Sequence, residues 1–292
     1  MSTPTAPATA TAELTPADRC HLETAVLQLE RPGFAARLAD YAGQPVNAIV
    51  ERLPQPVARR LREAARAAIF KCLELAIGAI DDEDALTTSE WSAKLMTGVA
   101  GGVGGFFGMA ALPIELPLTT TLMLHSIAEI ARAEGEDLRR VDALLACLEV
   151  FALGVRSPRS QQDSASIDYY AVRMVLSKLT SDVATLALER GAVNASSPIV
   201  AKLVGEIVAR FGLVVTDMAA ASAVPIFGAL GGATVNVIFM DHFQRVATGH
   251  FNIRRLERIY GVERIHHLYT LQIQALSAND AQLARRQQVR AR

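Results

Sequence analysis

The chain has 292 residues, enough for one large domain or two ordinary ones, and a core of that size needs no disulfide or metal. Its 29 Lys and Arg residues nearly balance 30 Asp and Glu residues, so no overall positive charge attracts nucleic acid. Three widely spaced cysteines indicate a reducing, cytoplasmic environment. The mean hydropathy of +0.24 is high, which favours contact with a membrane or a partner surface.

Composition divides the chain into three parts. Residues 1–14 lack the basic and apolar stretches of an export signal, and we predict a disordered leader there. Residues 15–278 carry apolar residues at helical spacing with almost no alternating strand pattern, which predicts one all-α domain. Residues 279–292 form a basic tail.

A glycine-rich run without any charged residue spans positions 95–114. Its six glycines are Gly98, Gly101, Gly102, Gly104, Gly105 and Gly108. Three pairs of these glycines lie four residues apart, a spacing that lets helices approach closely. A phosphate-binding loop would instead follow a strand and belong to a βαβ unit, which the sequence does not predict. The run therefore indicates helix packing rather than nucleotide binding.

Helices are predicted in chain order after this run. An amphipathic helix begins near Leu118 and ends at Gly135. Glu115, between two prolines, is expected to cap that helix, and the alternative is a buried contact with Arg245 or His242. Further helices are predicted over residues 139–153, 169–188, 198–211 and 256–276.

A second uncharged stretch, residues 218–240, repeats the plan of the first, and Gly228 and Gly232 have the same packing spacing. In both cases an amphipathic helix with acid, His and Arg follows, and then a glycine, which suggests two similar units. We predict a bundle of about eight to eleven helices with these two Gly/Ala-rich segments packed at its centre. Transmembrane helices, peripheral membrane association and a buried soluble hairpin remain alternatives, and the prolines and few Leu or Ile favour peripheral association.

Three phrases carry a family resemblance: GGVGGFFGMAALPIELPLTTTLMLHSIAEIARAEGED at 101–137, CLEVFALG at 147–154 and PIFGALGGATVNVIFMDHFQRVATGHFNIRRLERIYG at 225–261. Together they resemble the EcsC family of bacterial proteins, over most of the chain from about Leu61 onward. The family is named after a protein encoded beside an ABC transporter, so the resemblance implies a fold and a neighbourhood but no activity. Glu115 stands where many relatives have Asp, and His125 where many have Arg.

Polar residues of the two similar units are candidates for a buried cluster: Glu115, His125, Glu129, Asp241, His242 and Arg245. A helical bundle can assemble a carboxylate–histidine metal site from such residues, but neither Glu-x-x-His nor HExxH is present. We therefore expect hydrogen-bonded side chains with no metal and no cofactor. The alternative is a metal-assisted or lipid-directed hydrolase with its site near Glu115, His125, Asp241 and His242.

Basic residues supply the candidate lipid contacts. Arg254, Arg255 and Arg258 form either a solvated helix face or a patch that contacts anionic lipid. The tail carries arginine at 285, 286, 290 and 292 and no acid after Asp280, so it is a frayed helix end or a second lipid contact. The sequence predicts a non-enzymatic, membrane-associated interaction or accessory protein, linked to transport or envelope processes. We expect it at the inner face of the plasma membrane, and the oligomeric state is left open.

Overall fold

The computed structural model describes residues 13–30, 34, 54–78, 112–153, 155, 168–190, 197–222 and 232–290. These residues contain eight α-helices and no strand, so the all-α prediction is confirmed. The helices are α1 (Pro16–Glu30), α2 (Gln55–Gly78), α3 (Leu112–Ala133), α4 (Val141–Glu149), α5 (Asp168–Arg190), α6 (Pro198–Ser222), α7 (Gly232–Tyr260) and α8 (Val262–Arg290). A 3-10 turn, Val150–Ala152, extends α4.

The core lies where α2, α3, α6 and α7 pack side by side, with α4 and its 3-10 turn between them. Four buried phenylalanines fill its centre: Phe151, Phe211, Phe239 and Phe243. The rings of Phe151 and Phe211 meet edge to face with centroids 5.2 Å apart, and those of Phe239 and Phe243 do so at the same distance. Such aromatic pairs add about 0.5–1.5 kcal/mol each beyond the burial of their area.

The expected start of the first amphipathic helix was wrong. α3 begins at Leu112 instead of near Leu118, and Glu115 lies within it rather than at its cap. Pro117 lies in the second turn of α3, where it removes one backbone hydrogen bond of the helix without ending it. The side chain of Glu115 is outside the part of the chain that the structure describes.

A glycine follows the C-terminal end of α3 and of α7. Gly135, just after α3, has φ of 81°, and Gly261, between α7 and α8, has φ of 90°. These left-handed conformations suit glycine at the residue that follows a helix. The predicted stop at Gly135 is therefore confirmed, and the predicted helical stretch 256–276 is two helices separated at Gly261.

The second uncharged stretch belongs to two helices. Residues 218–222 are the last turn of α6, and residues 232–240 begin α7, with 223–231 outside the described part of the chain. None of the helices, as far as they are described, offers an apolar stretch long enough to cross a membrane.

Candidate functional site

Helices α3 and α7 run parallel, as two sets of contacts show. Near the middle of both, Gln244 donates from Nε2 to Ser126 Oγ at 2.9 Å. Further along α7, Arg254 binds Glu136, just beyond α3, with Nε 2.8 Å from Oε1. Residue numbers therefore increase in the same direction along both helices.

This parallel arrangement gives the bundle two distinct ends. The chain enters α3 at Leu112 from the glycine-rich run and enters α7 at Gly232 from the second uncharged stretch. We call this the apolar end. The opposite end, marked by Gly135 and Gly261, is called the turn end. Both uncharged stretches are thus joined to described helices at one end of the molecule.

Two large apolar side chains are exposed close to the apolar end. Leu118 on α3 is 37% exposed and Val237 on α7 is 67% exposed. Leu118 precedes Ser126 by eight residues and Val237 precedes Gln244 by seven, so the hydrogen bond between Ser126 and Gln244 puts them at nearly the same level. The apolar character of this end therefore continues onto the described helices.

The last helix, α8, runs from the turn end back toward the apolar end. Two residues of α5 contact both α7 and α8 and reveal this direction: Tyr169 and Tyr170. Tyr170 packs against His266 with ring centroids 4.3 Å apart and donates to Glu257 at 2.9 Å. Tyr169 packs against Tyr269 with centroids 5.5 Å apart, and its hydroxyl lies 3.0 Å from His250 Nδ1. Numbers rise along α8 as they fall along α7, so the two helices are antiparallel.

Four members of the predicted polar cluster form contacts within their own helices, and the assembly of all six residues stays a prediction. His125 lies 3.9 Å from Glu129 on α3, and Arg245 pairs with Asp241 at 3.1 Å on α7. His242 is buried beside the rings of Phe34 and Phe243. Among the described residues, no group of three or more His, Cys, Asp or Glu side chains is arranged to hold a metal ion.

The three candidate lipid-contacting arginines have carboxylate partners within the chain, in a network that we call the arginine clasp: Arg254, Arg255, Arg258, Glu134, Glu136 and Asp18. Arg254 and Arg258 both bind Glu136, and Arg255 binds Glu134 and Asp18. Burial opposes ionisation of Glu136, but the hydrogen bonds and charges of Arg254 and Arg258 outweigh it and lower its pKa. The clasp joins α1, α3 and α7 at the turn end.

A second polar group, missed by the sequence analysis, lies inside the bundle and is called the buried polar centre: Glu149, Tyr169, Tyr170, Arg173, His250 and Glu257. Arg173 on α5 forms a two-pronged ion pair with Glu257 on α7, at 2.8 and 2.6 Å. The Arg173 guanidinium also donates to the Tyr169 hydroxyl at 3.3 Å. Burial, with the nearby charges of Arg173 and Arg254, lowers the pKa of His250, so its ring is neutral.

Glu149 is the unusual member of this centre. It is the last residue of α4 and is only 2% exposed, and the Thr180 hydroxyl donates to its Oε1 at 3.0 Å. No group in the described part of the chain bonds its Oε2. Burial raises its pKa to about 7, although the hydrogen bond from Thr180 and the charges of Arg173 and Arg254 act in the opposite direction. Glu257 and Glu136 already balance those two arginines, so Glu149 is readily neutral.

One feature of the sequence indicates the buried polar centre, although it is not part of the helical spacing of apolar residues. Glu149 is the single charge within the apolar run 143–155, and an acid surrounded by buried residues needs special partners. Arg173 carried no such signal, because its partner Glu257 lies 84 residues away in the chain.

The glycine-packing prediction falls mostly outside the described residues: Gly98, Gly101, Gly102, Gly104, Gly105, Gly108 and Gly228. Gly232 is the first residue of α7. The packing of these glycines stays a prediction.

Comparison with known proteins gives one match. The model of a family described as the EcsC protein family matches residues 28–256. No curated protein matches the chain. No solved structure matches it either.

Proposed function

The chain belongs to the EcsC protein family, and we propose that it is a non-catalytic peripheral membrane protein that attaches through its apolar end. In this role it serves as an interaction or accessory protein for transport or envelope processes at the inner face of the plasma membrane. The turn end then faces away from the lipid.

The parallel course of α3 and α7 is the observation that supports this proposal most. A single uncharged stretch of sequence is equally compatible with a buried core segment. Two such stretches of sequence that lead into the same end of a bundle favour a membrane or partner contact at that end. The arginine clasp holds the opposite end with ion pairs, so the two ends differ in chemistry.

Leu118 and Val237 are exposed apolar side chains of α3 and α7 close to the apolar end. Burying a Val or Leu side chain in an apolar medium contributes about 1.5–3 kcal/mol. Because Leu118 is 37% exposed and Val237 67% exposed in the free protein, the two together contribute about 1.5–3 kcal/mol to membrane attachment, which corresponds to about 10- to 100-fold in the partition coefficient.

The test is flotation with phosphatidylglycerol-containing vesicles at low salt. The wild-type protein should float, and Leu118→Glu combined with Val237→Glu should lower its partition coefficient by about 10- to 100-fold. Because both positions are exposed, the thermal melt should change little. The matched control is Ile259→Glu combined with Val262→Glu, which adds the same two charges at residues that are 46% and 57% exposed at the turn end. Equal losses in this control and in the Leu118→Glu, Val237→Glu variant would contradict attachment through the apolar end.

A further inference from the structure

α8 has no buried residue after Ile273 among those whose burial is described, although the helix continues. Up to residue 279, its buried residues are Ile265, Tyr269 and Ile273. After them, Ser277, Ala278, Asn279 and Gln282 are exposed, although the helix continues to Arg290. Residues 277–290 add about 20 Å of helix at 1.5 Å per residue. We call this part the α8 arm.

The direction of α8 carries this arm toward the apolar end. Helices α7 and α8 each have 29 residues and meet at the turn end. At 1.5 Å per residue each is about 43 Å long. Because α8 runs antiparallel to α7 as far as Tyr269, a straight continuation carries residues 277–290 toward the end where α7 begins.

The sequence of the arm is strongly basic. Arginine occupies positions 285, 286 and 290, a fourth follows at 292, and no acid follows Asp280. The chain as a whole has a net charge of −1, so this local excess of positive charge is a property of the arm. The three arginines of α7 in the clasp, by contrast, already bind carboxylates of the chain.

We infer that the α8 arm binds the anionic headgroups of the bilayer that the apolar end contacts. This inference rests on the proposed function and adds the class of lipid. Basic residues near an anionic surface each strengthen attachment by about fivefold, and apolar contact combined with basic charge is the usual basis of peripheral binding. Lipid is favoured over an acidic protein or nucleic acid because the arm runs toward the end where α3 and α7 begin, and both helices follow an uncharged stretch of sequence.

The test compares two variants with the same change in charge. The arm variant carries Arg285→Gln, Arg286→Gln and Arg290→Gln. The control carries Arg60→Gln, Arg62→Gln and Arg66→Gln on α2, where all three residues are exposed. On phosphatidylglycerol vesicles at low salt, the arm variant should bind about 100-fold more weakly than wild type, and the control should change much less. A third variant with lysine at the three arm positions should bind nearly as wild type does, because it keeps the charge.

Salt separates this inference from the proposed function. The Debye screening length falls from about 10 Å at 0.1 M salt to about 3 Å at 1 M salt, so wild-type binding should weaken as salt is added. The arm variant should keep a weak, salt-insensitive binding that disappears when Leu118→Glu and Val237→Glu are added. If arm variant and control weaken equally, the arm is not the lipid contact, although the proposed function stands. If wild type never binds vesicles, both ideas fail. If a polyanion such as single-stranded RNA competes for the arm at lower concentration than anionic lipid, the lipid assignment is overturned.

Discussion

Replacing Glu149 by glutamine should make the protein more stable at alkaline pH. The folded protein holds the Glu149 proton up to a pKa of about 7, whereas the ordinary value is 4.5. Between these values the folded state binds more protons than the unfolded state, so this group reduces stability as pH rises. The penalty is absent below pH 4.5 and reaches about 3 kcal/mol above pH 7. Glutamine is neutral throughout and removes it.

The assay is urea unfolding followed by circular dichroism at several pH values between about 4 and 9. Other carboxyl groups, such as Asp18 and Glu136, have lowered pKa values, so the stability that they contribute to the fold is lost as pH falls. The quantity to follow is therefore the difference in unfolding free energy between variant and wild type. That difference should grow by about 3 kcal/mol in favour of the variant from pH 4.5 to pH 8. Glu63→Gln is the control for the substitution itself, because this carboxylate of α2 is 68% exposed and its loss uncovers no buried group. A flat difference for Glu149→Gln would refute a neutral buried acid.

The remaining predictions concern packing and ion pairing. Arg173→Met should destabilise by about 3–5 kcal/mol in urea unfolding because it leaves Glu257 buried without its cation, and adding Glu257→Gln should recover part of that loss. Gly249→Ala should lower stability by about 1–3 kcal/mol in a thermal melt because its Cβ would lie 2.9 Å from Leu29 Cγ. Gly205→Ala, whose Cβ meets nothing within 4 Å, should instead raise stability by up to about 1 kcal/mol. An equal response at both positions would contradict the close contact of α1 and α7. Gly101→Leu and Gly104→Leu should each lower stability by about 1–3 kcal/mol if these glycines pack tightly, and unchanged melts would count against that packing.

Local patterns predicted the helices well because helical spacing and glycine stops are properties of neighbouring residues. The amphipathic pattern around Met123 and Ile127 corresponds to buried positions of α3, and the helix ends before Gly135 as expected. The helix start was misjudged because Pro113 and Pro117 resemble a boundary. Pro113 in fact fits the first turn of α3, and the helix continues through Pro117.

Long-range partners could not be read from the same patterns. The basic face of α7 looks solvated or lipid-facing in sequence, yet Glu134 and Glu136 reach it from more than one hundred residues earlier in the chain. The internal repeat of sequence did suggest two similar units, but their parallel direction depends on contacts such as that between Ser126 and Gln244. The buried polar centre likewise exists only once α5 packs against α7.

The central claim, that the apolar end meets the membrane, is tested most directly by tryptophan fluorescence with brominated lipid. Trp91 is the only tryptophan of the chain, so Trp91→Phe gives a background without indole emission. Val237→Trp then reports on the apolar end of α7 and Ile259→Trp on its turn end, and both positions are exposed. On anionic vesicles, emission from position 237 should shift to shorter wavelength and be quenched by the brominated acyl chains, while emission from position 259 should stay unchanged. Quenching at position 259 alone, or at neither position while the protein floats with the vesicles, would contradict attachment through the apolar end.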